Sequence, residues 1–444
     1  MILKVIYFCL TVSMASLLAN VSDLRLEKSK EFLDLLKNKD YSKCQLYFDE
    51  SMKELLPDSL LKKVWEVNLT KYGKSGNIIS ATFKKVNGYL VYENTVSFEK
   101  KSVIYKTLFV ETDTTNKIAG LYFLPVQSDN SHKLPTYINK YLFKEIDTFF
   151  ISGKYKIYCN VSYPLDLPKT NAILILSGSG PNDRNGSIGA TKIYRDIAWG
   201  LASKGNLVVR FDKRTKTYGQ SMNKEEMSNL TINEEYLEDA SAAIEFIKSF
   251  EIVDSNYIVL LGHSQGGTVL APLAEKFPNI YGLAHLATPA RRLEELLPEQ
   301  IDYLSQFDST GIVKKSSIKI KEVCDYQLKN LNENSPSDSL LFGLSAKYWL
   351  SLKNLNYKEL ISKSKKRMFF AFGGRDYNVP QKDEQIWRQI LTGKSNVNFK
   401  TYEKLNHLFI YGEELDNPKD YDKENFVSPD LIEDLNNWIF EKLN

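Results

Sequence analysis

The run from Asn256 to Lys276 constrains this chain more than any other stretch. Tyr257 to Leu261 is short, apolar and β-branched, the kind of segment that forms a strand buried on both faces. Gly262 and Gly266 then bracket Ser264, and Thr268 to Lys276 reads as a helix. A strand that turns abruptly into a helix strains the backbone of the serine at the turn, and only neighbours without a Cβ fit beside it. The serine hydroxyl is thereby pushed out above the sheet edge. The next amide, that of Gln265, falls at a helix start, where unpaired N–H groups can hold a developing oxyanion.

A serine nucleophile needs a base, and the chain has only four histidines. His132 falls in an interdomain linker, and His285 falls within a predicted buried strand. His263 is the variable residue of the turn, with its side chain directed away from the neighbouring hydroxyl. His407 remains, in a loop after the predicted strand Val397 to Tyr402. Asp376 follows the predicted strand Met368 to Phe372 in a glycine-rich loop, where it is available as a buried acid. The chain order Ser264, Asp376, His407 is the α/β-hydrolase order, not that of chymotrypsin or subtilisin. A second oxyanion donor is expected in Ser177 to Pro181, after the predicted strand Ala172 to Leu176, with the backbone of Ser179 as the candidate. Alone, that loop could equally bind phosphate or simply turn; the downstream serine decides the case.

The surrounding order of elements predicts a doubly wound, mostly parallel sheet with active residues at strand C-terminal ends. A hairpin, Glu145 to Ile151 and Tyr155 to Ser162, leads in. A helix carrying Ile193, Ile197 and Leu201 precedes the strand Leu207 to Phe211. Asp212, Lys213 and Arg214 read mainly as structural pairing at the sheet rim. Thr231 to Glu234 has the form of a capping box opening a helix that runs to about Ser249. Between the predicted strands Gly282 to Ala287 and Met368 to Phe372 no strand is expected. Helical stretches at Leu293 to Phe307 and Ile318 to Leu331 instead suggest an insertion over 291–365 that caps the site. Tyr303 and Trp349, with Phe307 and Tyr348, are candidates for an apolar substrate pocket beneath it; helix packing would explain them equally well.

At 444 residues the chain is long for one core and suggests two domains. A net charge of +3 and a charged fraction of 25% give no basic stripe and no argument for nucleic acid. Lys4, the apolar run Val5 to Leu18 and the small residues near Ala19 have the layout of a secretory signal over 1–19. The expectation is an exported protein, periplasmic or secreted, with an uncleaved N-terminal anchor as the alternative. The apolar run is short for a membrane span, so none is expected after cleavage. Cys44, Cys159 and Cys324 then remain, too scattered for a disulfide scaffold or a metal site. Residues 21–127 read as a small α+β domain. Helices are expected near 24–36, from Tyr41 to Glu50 and around Leu55 to Val67, followed by four β-rich runs between Ile78 and Phe123. No catalytic constellation is apparent there.

Residues 140–444 resemble exported bacterial α/β-hydrolases of the dienelactone hydrolase-like group, close to serine esterases with a helical cap. The resemblance rests on Ser177 to Gly189, Arg210 to Arg214, Gly262 to Gly267, Ala287 to Arg291 and Gly373 to Pro380. It implies a Ser264, Asp376, His407 triad, no metal and no cofactor, and a small-molecule ester as substrate. Ser177 and Thr215 depart from the histidine and glycine common at those places. The first domain resembles a domain of unknown function, with an NTF2-like cone, found ahead of exported bacterial hydrolases. The activity expected is carboxylic-ester hydrolysis through an acyl-enzyme. The alternatives are thioesterase, acyltransferase or peptidase action on the same triad, or a ligand-binding protein with a vestigial hydrolase half. A peptidase of the prolyl oligopeptidase type would need a propeller that about 100 residues cannot build.

Overall fold

The computed structural model describes residues 24–441 apart from 87, 126–133, 166, 220, 309–310, 337–339, 342–343, 418–420 and 422. The expected signal segment 1–19 and His132 lie outside the described residues. Two compact units are formed, Met1–Gln127 and Ser128–Asn444. Among the described residues no helix is long and apolar enough to cross a membrane.

In the first unit a helix over 24–37 is followed by Tyr41–Cys44, Glu50–Leu55 and Asp58–Tyr72. The helix expected from Tyr41 to Glu50 is broken at Phe48. There the backbone leaves the helix to bridge Ile118, the ring is buried, and Asp49 caps a new helix by accepting from the Met52 N–H at 2.8 Å. A distant strand thus outcompetes local helix propensity. Strands β1 (Ser75–Val86), β2 (Tyr89–Phe98), β3 (Val103–Val110) and β4 (Ile118–Pro125) form an antiparallel meander. Trp65, Tyr92, Tyr105 and Phe109 fill its core.

In the second unit, β5 (Phe143–Ser152) and β6 (Tyr155–Pro164) pair as a hairpin. β7 (Thr170–Leu176) follows, then a two-residue hairpin, β8 (Ser187–Ile188) with β9 (Thr191–Lys192). β10 (Leu207–Phe211), β11 (Val253–His263) and β12 (Ile280–Leu286) come next. A second short pair, β13 (Leu340–Leu341) with β14 (Leu344–Ser345), precedes β15 (Arg367–Gly373) and β16 (Val397–Tyr402). The eight-stranded sheet runs β16-β15-β12-β11-β7-β10-β6-β5, parallel from β16 to β10 and antiparallel at the hairpin.

Residues two apart along each strand share a face. Leu174 and Leu176 therefore join one core with Ile244 and Trp387, while Ile173 and Ile175 join another with Ile197 and Leu435. Both faces are covered by helices, as a mostly parallel sheet requires. The chain enters the parallel strands at β7, steps outward to β10, and returns to β11 on the other side of β7. The connections leaving β7 and β11 thus diverge, and a crevice opens between their C-terminal ends.

The segment 291–365 joins β12 to its parallel neighbour β15. It carries helices Leu293–Ser305, Ile312–Glu322, Ala346–Asn354 and Tyr357–Lys363 and the small β13–β14 hairpin, a strand pair where none was expected. Cys324, Leu328, Leu331, Ala346 and Trp349 give it a core of its own.

Candidate active site

Ser264 sits between β11 and the turn of helix Gln265–Thr268 with φ 52° and ψ −125°, a conformation that costs an L-residue on the order of 1–3 kcal/mol. The turn is over-determined. The Ser264 N–H donates to the Leu286 carbonyl at 2.8 Å, and the Gly267 N–H to the Ser264 carbonyl at 2.9 Å. A Cβ on Gly262 would lie 2.4 Å from the Gly266 carbonyl oxygen, and one on Gly266 would lie 2.4 Å from that of Leu176. Both positions therefore exclude any side chain.

The carboxylate of Asp376, at the end of β15, is buried and spans two tasks. Its Oδ1 accepts from the N–H groups of Asn378 at 2.7 Å and Val379 at 2.9 Å, while Oδ2 lies 2.7 Å from Nδ1 of His407. A carboxylate can only accept, so His407 carries its proton on Nδ1 and leaves Nε2 with a free lone pair. Asn406 shapes the His407 loop: its Oδ1 accepts from Leu408 and Ile410, and its Nδ2 donates to Asp416 at 3.0 Å.

His263 is buried and held at both nitrogens. Its Nε2 donates to the His407 carbonyl at 2.9 Å, so Nδ1 accepts from the Tyr194 hydroxyl at 3.1 Å. Burial pushes this imidazole down to about 3, with the neighbouring His407 as a second cause. It is therefore neutral. The Tyr194 hydroxyl in turn accepts from the Gly178 N–H at 2.8 Å, so the residue before Ser264 ties the loop after β7 to the loop after β16.

Ser179 follows Gly178 in that first loop, and among the described residues neither its N–H nor that of Gln265 has an acceptor. Ser179, Ser264, Gln265 and His407 share one cavity of about 200 Å³. Its other wall sets Leu293, Leu297, Leu352 and Leu355 beside Arg291, Arg292 and Glu294, all from the 291–365 segment, with Val379 from the Asp376 loop. The structure brings together five of the seven candidate residues: Asp376 reaches the cavity through His407, and the other four line it directly.

Tyr303 and Trp349 do not line this cavity. Trp349 is committed to the core of the 291–365 segment, where Nε1 donates to the Leu341 carbonyl at 2.9 Å. Tyr303 stacks on Tyr377 with centroids 4.5 Å apart and donates its hydroxyl to the Asp416 carbonyl at 2.8 Å. Both rings serve packing, and leucines take the wall.

Of the three charged residues at the end of β10, Asp212 accepts from the Arg184 N–H at 2.7 Å and Arg214 pairs with buried Asp239 at 2.6 Å. Lys213 instead turns inward, and its ammonium donates to the Gly178 carbonyl at 3.0 Å. Burial pulls it down to about 8 against the pull of Glu235, 3.5 Å away. Sequence spacing gave no sign of this contact, because it joins loops of different strands. The lysine at a buried strand's end was the one available signal.

Comparison with known proteins adds the context. Residues 29–121 match the family described as "Protein of unknown function (DUF3887)". Among solved structures, the esterase domain of a Rhodothermus marinus protein is similar at 15% identity and TM-score 0.40, covering 67% of this chain and 97% of that one. Est1E from Butyrivibrio proteoclasticus is similar at 14% identity and TM-score 0.40, covering 62% and 96%. Esterase EstD of Thermotoga maritima is 32% identical over 353 residues, which span 79% of this chain and 80% of the relative. With that identity over that span, the chain belongs to the α/β-hydrolase esterase family that includes Esterase EstD.

Proposed function

We propose that this esterase cleaves small carboxylic esters through an acyl-enzyme on Ser264, with His407 as base and Asp376 as its orienting acid. The observation that carries the reading is the Asp376–His407 contact of 2.7 Å, with His407 in the same cavity as Ser264. His407 Nε2 takes the Ser264 proton as Oγ attacks the carbonyl carbon. Negative charge moves to the carbonyl oxygen, where the amides of Ser179 and Gln265 stabilise it. Asp376 remains ionised and stabilises the imidazolium. Collapse breaks the ester C–O bond, and His407 gives its proton to the departing alcohol. Water, deprotonated by His407, then attacks the acyl-enzyme and releases the acid and Ser264.

The test is labelling by a fluorophosphonate followed by peptide mapping. The expected adduct is on Ser264, absent in Ser264→Ala and suppressed in His407→Ala, with loss of ester turnover in both. An adduct on another residue, or turnover that persists in folded Ser264→Ala, would overturn the reading.

A further inference from the structure

Lys213 is fully buried and lines no part of the cavity, yet its ammonium is nearer to a backbone carbonyl than to a carboxylate. An ion pair alone would explain a buried lysine if Glu235 were its main partner. Here the Gly178 carbonyl collects three donors: Lys213 Nζ at 3.0 Å, the Tyr236 hydroxyl at 2.6 Å and Asn182 Nδ2 at 3.0 Å. Lys213 also reaches the Tyr236 hydroxyl at 2.5 Å, and its own N–H donates to the Asn182 carbonyl at 3.1 Å. A carbonyl oxygen has two lone pairs, so three donors with a cation among them saturate it.

The Gly178 carbonyl and the Ser179 N–H are the two ends of one planar peptide unit. Fixing the oxygen fixes the plane, and in a trans peptide it directs the N–H the opposite way. Donors on the oxygen also draw electron density from the nitrogen, and hydrogen bonds chained through a peptide strengthen one another. A cation on the carbonyl therefore makes the Ser179 N–H a stronger donor. The preceding peptide is fixed as well, through the Gly178 N–H on Tyr194. The loop is already close to the nucleophile, since a Cβ on Gly178 would lie 3.3 Å from Ser264 Cβ.

We infer that Lys213, assisted by Tyr236 and Asn182, is a positioning residue for the oxyanion hole, holding and polarising the Gly178–Ser179 peptide so that its N–H stabilises the tetrahedral intermediate. The inference rests on the acyl-enzyme reading and assigns a task to a group outside the triad. The network extends to the second donor's residue. Glu235, beside Lys213, accepts from the Tyr348 hydroxyl, which lies 3.5 Å from Gln265 Nε2.

A group that acts only on the oxyanion should lower kcat and leave ground-state binding alone. The experiment uses the full chain and p-nitrophenyl acetate with Lys213→Met, which keeps length and removes the cation, and Tyr236→Phe, which removes one hydroxyl. Expected are a loss in kcat of about 30-fold or more for Lys213→Met and about 5-fold for Tyr236→Phe, with KM within about 2-fold of the parent. Affinity for a trifluoromethyl ketone, whose carbonyl carbon bonds to Ser264 Oγ as its oxygen becomes anionic and His407 takes the proton, should fall by the same factors. Affinity for acetate, the product, should not. An unchanged kcat in either folded variant overturns the inference, as does equal weakening of ketone and acetate. If Lys213→Met fails to fold, Tyr236→Phe alone decides. Failure of the underlying reading has a different mark, turnover that persists in Ser264→Ala.

Discussion

The strand ends of the sheet and the segment 291–365 wall the same cavity by different means. At the rim, Ser264, Ser179, Gln265 and His407 are placed by backbone hydrogen bonds and by side chains held at both ends, as at the two oxygens of Asp376 and the two nitrogens of His263. Across the cavity, Leu293, Leu297 and Leu352 on helices and Leu355 between two of them are half-buried leucines of an insertion with its own small core. Hydrogen bonds are directional and fix atoms to within tenths of an ångström, whereas apolar contact tolerates repacking. On the proposed acyl-enzyme reading, the contrast predicts chemistry at the rim and choice of substrate at the insertion.

The largest effects are therefore expected at the rim. Ser264→Ala or His407→Ala should each lower kcat by about 10⁴-fold or more, and the double variant should be little worse, since members of one catalytic unit are strongly non-additive. Asp376→Asn should cost about 10³–10⁴-fold, because the amide favours the wrong imidazole tautomer while leaving nucleophile and base in place. Additive losses in the double variant, measured as kcat on one ester, would break the assignment of these residues to a single unit.

An intermediate and different effect is expected across the cavity. Leu297→Trp fills part of the cavity that Ser264 also lines and should reorder preference among acyl chains by about 10-fold in kcat/KM, while turnover of the acetyl ester stays within about 3-fold. Measured over a series of p-nitrophenyl esters, a uniform loss for every chain length would blur the distinction between the two walls. Trp349→Phe, in the insertion's core and away from the cavity, should lower thermal stability and leave that ranking as it is.

Local pattern carries what short-range physics decides. The glycine spacing around Ser264, the apolar run of β11 and the loops after β15 and β16 are short-range features, so the turn and the strand ends near Asp376 and His407 are legible in the order of residues alone. Long-range choices are not. Phe48 breaks a helix only because Ile118, 70 positions away, offers its backbone a partner. Tyr303 reads as a pocket aromatic until Tyr377 supplies a stacking face. Lys213 looks like its neighbours Asp212 and Arg214, and only the proximity of the β7 and β10 ends turns it toward Gly178. Polar partners chosen across strands leave no period in the sequence, which is why the hydrogen-bonded surroundings of the loop after β7 are invisible there.

The smallest effect on turnover is expected just below the rim, at His285 on β12, and it shows instead in acid stability. Its ring stacks on Phe370 with centroids 4.3 Å apart and planes 9° from parallel. Neither ring nitrogen makes a hydrogen bond among the described residues, the Gly267 backbone approaching without bonding geometry. Burial pushes the imidazole down to about 3 from its ordinary 6.5. Between those values the unfolded chain binds a proton that the folded chain refuses. The stability associated with the neutral ring is complete above pH 6.5 and is lost as pH falls toward 3, with a slope of up to about 1.4 kcal/mol per pH unit. His263 follows the same rule but has both nitrogens satisfied, and it also links the two loops beside Ser264. His285→Leu, close in volume, should therefore flatten the fall in unfolding free energy between pH 7 and pH 4.5 while ester turnover at pH 7 stays within about 2-fold. Urea unfolding at a series of pH values makes the comparison. A variant whose stability falls with acid as steeply as the parent's would show that His285 takes up its proton in the folded state, and a large loss of turnover would place it in the chemistry of the rim.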